Sequence, residues 1–180
     1  MEGMTQFNKV HDILDFHVNK NPDSVTISID NADYKNTDIL SKVSSLVEFL
    51  RESKIKSGDR IAFLAKNSSE FIELMYASSM LELVMVPINF RLAYEEVKFI
   101  INDSGSKIII FGEEFKGLVE KLYSDKTDLQ LSLEISELGK LLKSKSPVAL
   151  DVLLLSNKAK DTPLFQMYTS GTTGNPKGAL

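Results

Sequence analysis

Cysteine is absent from the 180 residues, which removes disulfides, thiolate nucleophiles and Cys-based metal sites from consideration. Histidine is scarce: His11 and His17 are the only two. Their spacing on a helix sets them about 240° apart around the axis, so they cannot share a metal ion, and both are expected at surface or boundary positions. Two helical histidines also leave no Ser-His-Asp grouping to nominate. Basic excess is missing as well. The net charge is −4 with the two signs interspersed, whereas a nucleic-acid partner requires a basic stripe or face. The densest apolar stretch, from Phe71 to Ile88, is interrupted by Glu73 and Glu82, so no membrane span is expected. No basic N-terminal segment leads into an apolar run with a small-residue cleavage site, so no secretion signal is expected, and the reading places the chain in the cytoplasm.

What remains is ordinary globular material. A chain of this length buries about 70% of the surface it would expose unfolded, enough for a substantial core. Phe7, Val10, Ile13, Leu14 and Val18 follow helical spacing, and Asn21-Pro22 ends that helix. Val25, Ile27 and Ile29 alternate with Thr26 and Ser28 as a strand, with a turn at Asn31 to Asp33. Thr37 is the expected N-cap of a long helix with Ile39, Leu40, Val43, Leu46, Val47 and Leu50 on one stripe. Ser57-Gly58-Asp59 turns the chain into a strand from Arg60 to Ala65.

The pattern then repeats. A helix capped by Ser69 runs to about Leu81, followed by a strand from Leu83 to Pro87, and a helix from Tyr94 that stops at Ser104-Gly105. Lys107 to Phe111 reads as a central strand, apolar on both faces as parallel sheets require. A helix from Glu113 to Tyr123, a strand from Leu129 to Leu133, a helix from Ser136 to Lys143 and a strand from Pro163 to Tyr168 complete the series. Gly178 to Leu180 enters another strand. Glu95-Glu96 and Glu113-Glu114 stand near helix starts, where they complement the helix dipole. Met75, Met80 and Met85 read as core filler.

Alternating strands and helices with short connections predict an α/β fold, a layered, mostly parallel β-sheet flanked by helices. The division is residues 1–140 as an α/β subdomain, 141–162 as an irregular connection broken by Pro147, and 163–180 as a strand and loop belonging to an incomplete second part.

The chemistry concentrates in the stretch Ser170-Gly-Thr-Thr-Gly-Asn-Pro-Lys-Gly178. A Ser/Gly/Thr-rich end is often only a solvated tail. Here an apolar strand fixes the entrance, Pro176 stiffens the backbone directly before Lys177, and Gly171, Gly174 and Gly178 remove side chains where main-chain N–H groups would meet an anion. The hydroxyls of Thr169, Ser170, Thr172 and Thr173 and the ammonium of Lys177 suit a polyphosphate, with hydrogen bonds to charged groups contributing about 1.5–3 kcal/mol each. The spacing excludes a Walker A loop: Pro176 precedes the lysine and Gly178 follows it where a hydroxyl is required. It is not G-x-G-x-x-G either.

The run from Tyr168 to Gly178 resembles the phosphate loop of the AMP-forming adenylate synthetases, the superfamily of acyl-CoA synthetases, peptide-synthetase adenylation domains and luciferases. Asn21-Pro-Asp23, Ser57-Gly-Asp-Arg-Ile-Ala62, Asn67-Ser-Ser-Glu-Phe71 and Val86-Pro-Ile-Asn-Phe-Arg-Leu92 follow in the family's order. The Pro-Ile-Asn-Phe-Arg-Leu wording is closest to acyl-CoA synthetases. Two departures stand out. Glu82-Leu83 replaces the usual Gly-Ala, which predicts altered helix packing there, and Leu129 to Asp161 carries no family signature.

The resemblance implies an ATP-dependent ligase that joins a carboxylic acid to AMP, releases pyrophosphate, and passes the acyl group to the thiol of coenzyme A. Thr169, Ser170, Gly171, Thr172, Thr173, Gly174 and Lys177 would hold the ATP phosphates, with Mg2+ arriving on ATP and no metal site of the chain's own. The family's adenine pocket, ribose-binding aspartate, catalytic lysine and acyl pocket have no counterpart in these residues, so no catalytic residue is assigned and the chain alone is expected to be inactive. It is read as the N-terminal part of such an enzyme, cut just after the phosphate loop, and expected to self-associate through exposed apolar surface. The alternatives are a carrier-protein-loading acyl ligase and a catalytically dead interaction module with the same fold.

Overall fold

The structure, a computed structural model, describes residues 7–29, 31–143, 162–169 and 176–180. Its centre is a four-stranded parallel sheet in the order β4-β3-β5-β6, formed by β3 (Arg60–Leu64), β4 (Val84–Pro87), β5 (Ser106–Phe111) and β6 (Leu131–Glu134). Alternation sorts its side chains. Ile61, Phe63, Met85, Ile108, Ile110 and Leu133 enter one apolar cluster, while Ala62, Leu64, Val86, Ile109 and Phe111 enter another. A sheet buried on both faces has to be apolar at successive positions, which is why its strands read as short continuous runs.

The first cluster is closed by α1 (Val10–Lys20), α2 (Asn36–Glu52), α3 (Ser69–Leu81) and α6 (Ile135–Lys143). Leu14 of α1, Leu138 of α6 and the stripe Ile39, Val43, Leu46, Val47 and Leu50 of α2 are buried there. The second is closed by α4 (Tyr94–Ser104), through Val97, Ile100 and Ile101, and by α5 (Lys116–Ser124), through Val119 and Leu122. The outcome is the expected α/β architecture, with a helical layer on each side of a parallel sheet. Met80 and Met85 are core residues, and Met75 packs against that core.

Several details differ from the sequence expectation. Of the expected turn at Asn31 to Asp33, only Asn31, whose φ is 62°, lies outside a strand; Ala32 and Asp33 belong to β2 (Ala32–Lys35), which pairs antiparallel with β1 (Val25–Ile29). Thr37 does not cap α2. The helix starts one residue earlier, and the Asp38 carboxylate accepts the Lys35 N–H at 2.9 Å, the reach-back half of a capping arrangement. Ser69 is the first residue of α3, and Ser68 stands in the cap position. Glu113–Phe115 forms a separate 3₁₀ turn ahead of α5. Most of the expected irregular connection, residues 144–161, lies outside the described residues.

His11 corrects a second expectation. It is 1% exposed, with Nδ1 2.8 Å from the Ser79 hydroxyl and Nε2 3.6 Å from Asp12. With Leu14 and Val18 it continues the i, i+3, i+7 stripe that α1 turns toward α3, so it is a satisfied core histidine. Burial holds its imidazole below the ordinary value, against the opposing pull of the Asp12 carboxylate.

Glu82 and Leu83, which stand where the sequence departs from the resemblance, both have local partners. Glu82 ends α3 in the left-handed region, φ 55°, the conformation that favours glycine at a helix C-terminus. Its carboxylate receives Lys9 Nζ at 3.2 Å and the Ser57 hydroxyl at 3.0 Å, and its carbonyl accepts the Gly58 N–H at 2.8 Å. Leu83 is buried in the core. Glu82 thus forms a charged C-cap that ties α1 and the β3 turn to the end of α3.

Candidate functional site

The segment that enters the Gly-rich loop is built onto the edge of the main sheet. Met85 donates its N–H to the Leu164 carbonyl and accepts the Gln166 N–H, both at 2.8 Å, so Phe165 lies parallel beside β4. The Phe165 ring stacks on Phe71 with centroids 6.3 Å apart, and Phe71 meets Phe63 edge-on at 5.5 Å. Offset and edge-on aromatic pairs add to the burial that fixes the segment. From there the chain forms β7 (Met167–Thr169), which pairs antiparallel with β8 (Lys177–Ala179). The two expected strands at the end of the chain therefore form a hairpin, and the loop is its connection.

The register places Thr169 directly opposite Lys177. Both are exposed, so a hydroxyl and an ammonium flank the entrance and exit of the connection on neighbouring strands. Ser170, Gly171, Thr172, Thr173 and Gly174, the other expected phosphate-binding residues, lie outside the described residues. Gly178 has a local reason. A Cβ there would stand 2.9 Å from Tyr168 Cζ and 2.9 Å from Gln166 Nε2, so the return strand lies against the tyrosine ring.

That ring is anchored in turn. Tyr168 donates its hydroxyl proton to Asp103 Oδ2 at 2.6 Å and accepts from Gln166 Nε2 at 2.9 Å. Gln166, 8% exposed, presents Oε1 to Arg60 Nε at 3.3 Å, and Arg60 also donates to the Gly58 carbonyl at 3.2 Å. Burial, joined by the Asp103 carboxylate, pushes the Tyr168 hydroxyl far above its ordinary value, so it remains a protonated donor. Sequence reasoning passed over Asp103, Arg60 and Gln166. The available signal was polarity at Gln166 and Tyr168, two residues apart on a strand and therefore on one face.

A second concavity lies at the carboxyl ends of β3 and β5, where strand order reverses and open parallel sheets commonly bind ligands. It encloses about 270 Å³ and is lined by Lys66, Glu113, Glu114 and Glu134 among others. Three carboxylates against one lysine, itself 3.5 Å from Glu114, are the wrong charge for polyphosphate, and no described residue of the hairpin lines it. Among the described residues no group of three or more His, Asp or Glu side chains could hold a metal ion, and no helix is long and apolar enough to cross a membrane.

The family described as AMP-binding enzyme matches residues 14–180, from the first helix through the hairpin. The chain belongs to the AMP-binding enzyme family. Among curated relatives, a long-chain-fatty-acid–CoA ligase, FadD13 of Mycobacterium tuberculosis, is 39% identical over 126 residues, covering 70% of this chain and 25% of that protein. A fatty acid–[acyl-carrier-protein] ligase, ScoC of Streptomyces coeruleorubidus, is 29% identical over 166 residues, or 92% of this chain and 31% of the relative. The N-terminal domain of FACL13 from Mycobacterium tuberculosis superposes with a TM-score of 0.82 at 27% identity, over 96% of this chain and 43% of that one. This AMP-binding chain spans about a quarter to a third of the length of those curated relatives.

Proposed function

We propose that this chain is the N-terminal part of an ATP-dependent, AMP-forming acyl-CoA synthetase and that residues 169–177 are its ATP phosphate loop. The observation that carries the reading is the hairpin register, which brings Thr169 and Lys177 face to face at the base of a Gly- and Thr-rich connection. Thr169, Ser170, Thr172 and Thr173 offer hydroxyls to phosphate oxygens, and Gly171 and Gly174 leave main-chain N–H groups open to them. Lys177 supplies the countercharge.

In this reading a carboxylate oxygen of the acid attacks the α-phosphorus of ATP, the bond to the β-phosphate oxygen breaks, and pyrophosphate leaves. A thiol then displaces AMP to give the thioester. The loop acts through positioning and charge neutralisation as pyrophosphate departs, without a covalent intermediate on the protein. Mg2+ comes with ATP as part of the substrate complex. The adenine, ribose and acyl contacts belong to residues outside this chain, so the 180-residue polypeptide is inactive by itself. Its place in the cell is the cytoplasm. Met167, 50% exposed, and Leu180, 71% exposed, give the isolated chain an apolar edge through which it self-associates.

The test is product analysis with the parent enzyme, ATP and a panel of carboxylic acids. Acyl-AMP followed by an acyl-CoA is expected; absence of AMP formation with every acid contradicts the reading. The likeness to ScoC over 92% of the chain favours a second acceptor, a carrier-protein thiol. Thioester formed on carrier protein and not on coenzyme A would select it.

A further inference from the structure

The hydrogen bonds from Asp103 through Tyr168 and Gln166 to Arg60 have no part in the reaction described above, yet they converge on the root of the loop. Asp103 lies on α4 and Arg60 on β3, so the hairpin is held by two separately packed elements. Tyr168 is next to Thr169 in β7, and its ring is the surface against which Gly178, next to Lys177, is seated. Any movement of that ring is therefore passed to both strands at once. The hydroxyl ties the ring to α4 by a hydrogen bond.

We propose that Asp103 is a positioning residue for ATP binding, acting through the Tyr168 hydroxyl to set where Thr169 and Lys177 stand. This rests on the phosphate-loop reading. Asp103 touches no substrate. Its carboxylate accepts the one proton that orients Tyr168, and Gln166 completes the orientation by donating to the same oxygen. Removing either end of the Asp103–Tyr168 bond unties the ring from the Asp103 carboxylate while the sheet and helices beneath it stay packed.

The experiment measures steady-state adenylation by the parent enzyme carrying Tyr168→Phe, Asp103→Asn or both. Each single change is expected to raise KM for ATP about tenfold, the scale of one lost hydrogen bond to a charged group. The kcat at saturating ATP should stay within about twofold and the KM for the acid should not move, the signature of a lost binding interaction. Because Asp103 acts through the hydroxyl, the double variant should be no worse than Tyr168→Phe alone. Multiplicative effects in the double variant, or an unmoved KM for ATP, overturn the proposal. If Asp103→Asn does not fold, Tyr168→Phe, which removes one oxygen and keeps the ring, decides through the KM for ATP alone. A wild-type parent enzyme that forms no acyl-adenylate overturns the phosphate-loop reading and this inference with it; an active wild type with unaltered variants overturns this inference only.

Discussion

Glu82 is a carboxylate in a position that geometry reserves for glycine. A residue with a Cβ in the left-handed region costs roughly 1–2 kcal/mol, and part-exposed ion pairs such as Glu82 with Lys9 return about 0–1 kcal/mol. Glu82→Ala and Glu82→Gly both remove the Lys9 and Ser57 contacts, but only the glycine relieves the backbone. Urea denaturation should therefore rank Glu82→Gly above Glu82→Ala by about 1 kcal/mol; the reverse order would mean that φ 55° does not persist in solution. His11 gives a pH dependence. Its folded-state pKa lies below 6.5, so the unfolded chain binds more protons in the window beneath that value. Its contribution is fully present above about pH 6.5 and is lost as pH falls. Unfolding free energies of wild type and His11→Asn should diverge above that pH and converge below it, whereas a constant offset would contradict a buried neutral imidazole. The burial of His11 was legible in its i, i+3, i+7 spacing with Leu14 and Val18, but polarity outweighed periodicity. The Ser79 hydroxyl that makes burial tolerable is 68 residues away in sequence, beyond any local pattern.

At the scale of elements, the parallel strands and their helices were read to within a few residues, since continuous apolar runs and 3.6-residue stripes follow directly from what each element buries. β2 was missed because its four residues are exposed or half-exposed and hold only one large apolar side chain, Tyr34. The end of the chain was read as two strands, yet their pairing with each other and the docking of Phe165 beside β4 are tertiary facts with no local signature. The hairpin's tolerance to change is set by Gly178. Gly178→Ala puts a methyl group 2.9 Å from the Tyr168 ring, inside contact distance, so the ring or the return strand must shift. In the parent enzyme this should raise KM for ATP about tenfold or more while the far-ultraviolet circular dichroism of the protein is unchanged. A KM equal to that of wild type would show that the return strand does not rest on the ring.

For the whole molecule, the helical layers and the sheet form a platform, and the proposed phosphate loop is the part of the chemistry carried at its β4 edge. The family was legible because the loop's glycines, threonines, proline and lysine answer to an anion, a requirement independent of the rest of the fold. The relay from Asp103 to Arg60 was not, because its two long links, Asp103 with Tyr168 and Arg60 with Gln166, join residues 65 and 106 positions apart that only folding brings together. The central claim is that Lys177 and its loop bind the phosphates of ATP during carboxylate activation. Its most direct test is carboxylate-dependent ATP–pyrophosphate exchange, measured for the parent enzyme, its Lys177→Ala variant and the 180-residue chain alone. The account predicts robust exchange by the parent, a loss of about 10²-fold or more in the variant, and none from the isolated chain; exchange by the isolated chain, or a variant as fast as wild type, would contradict it.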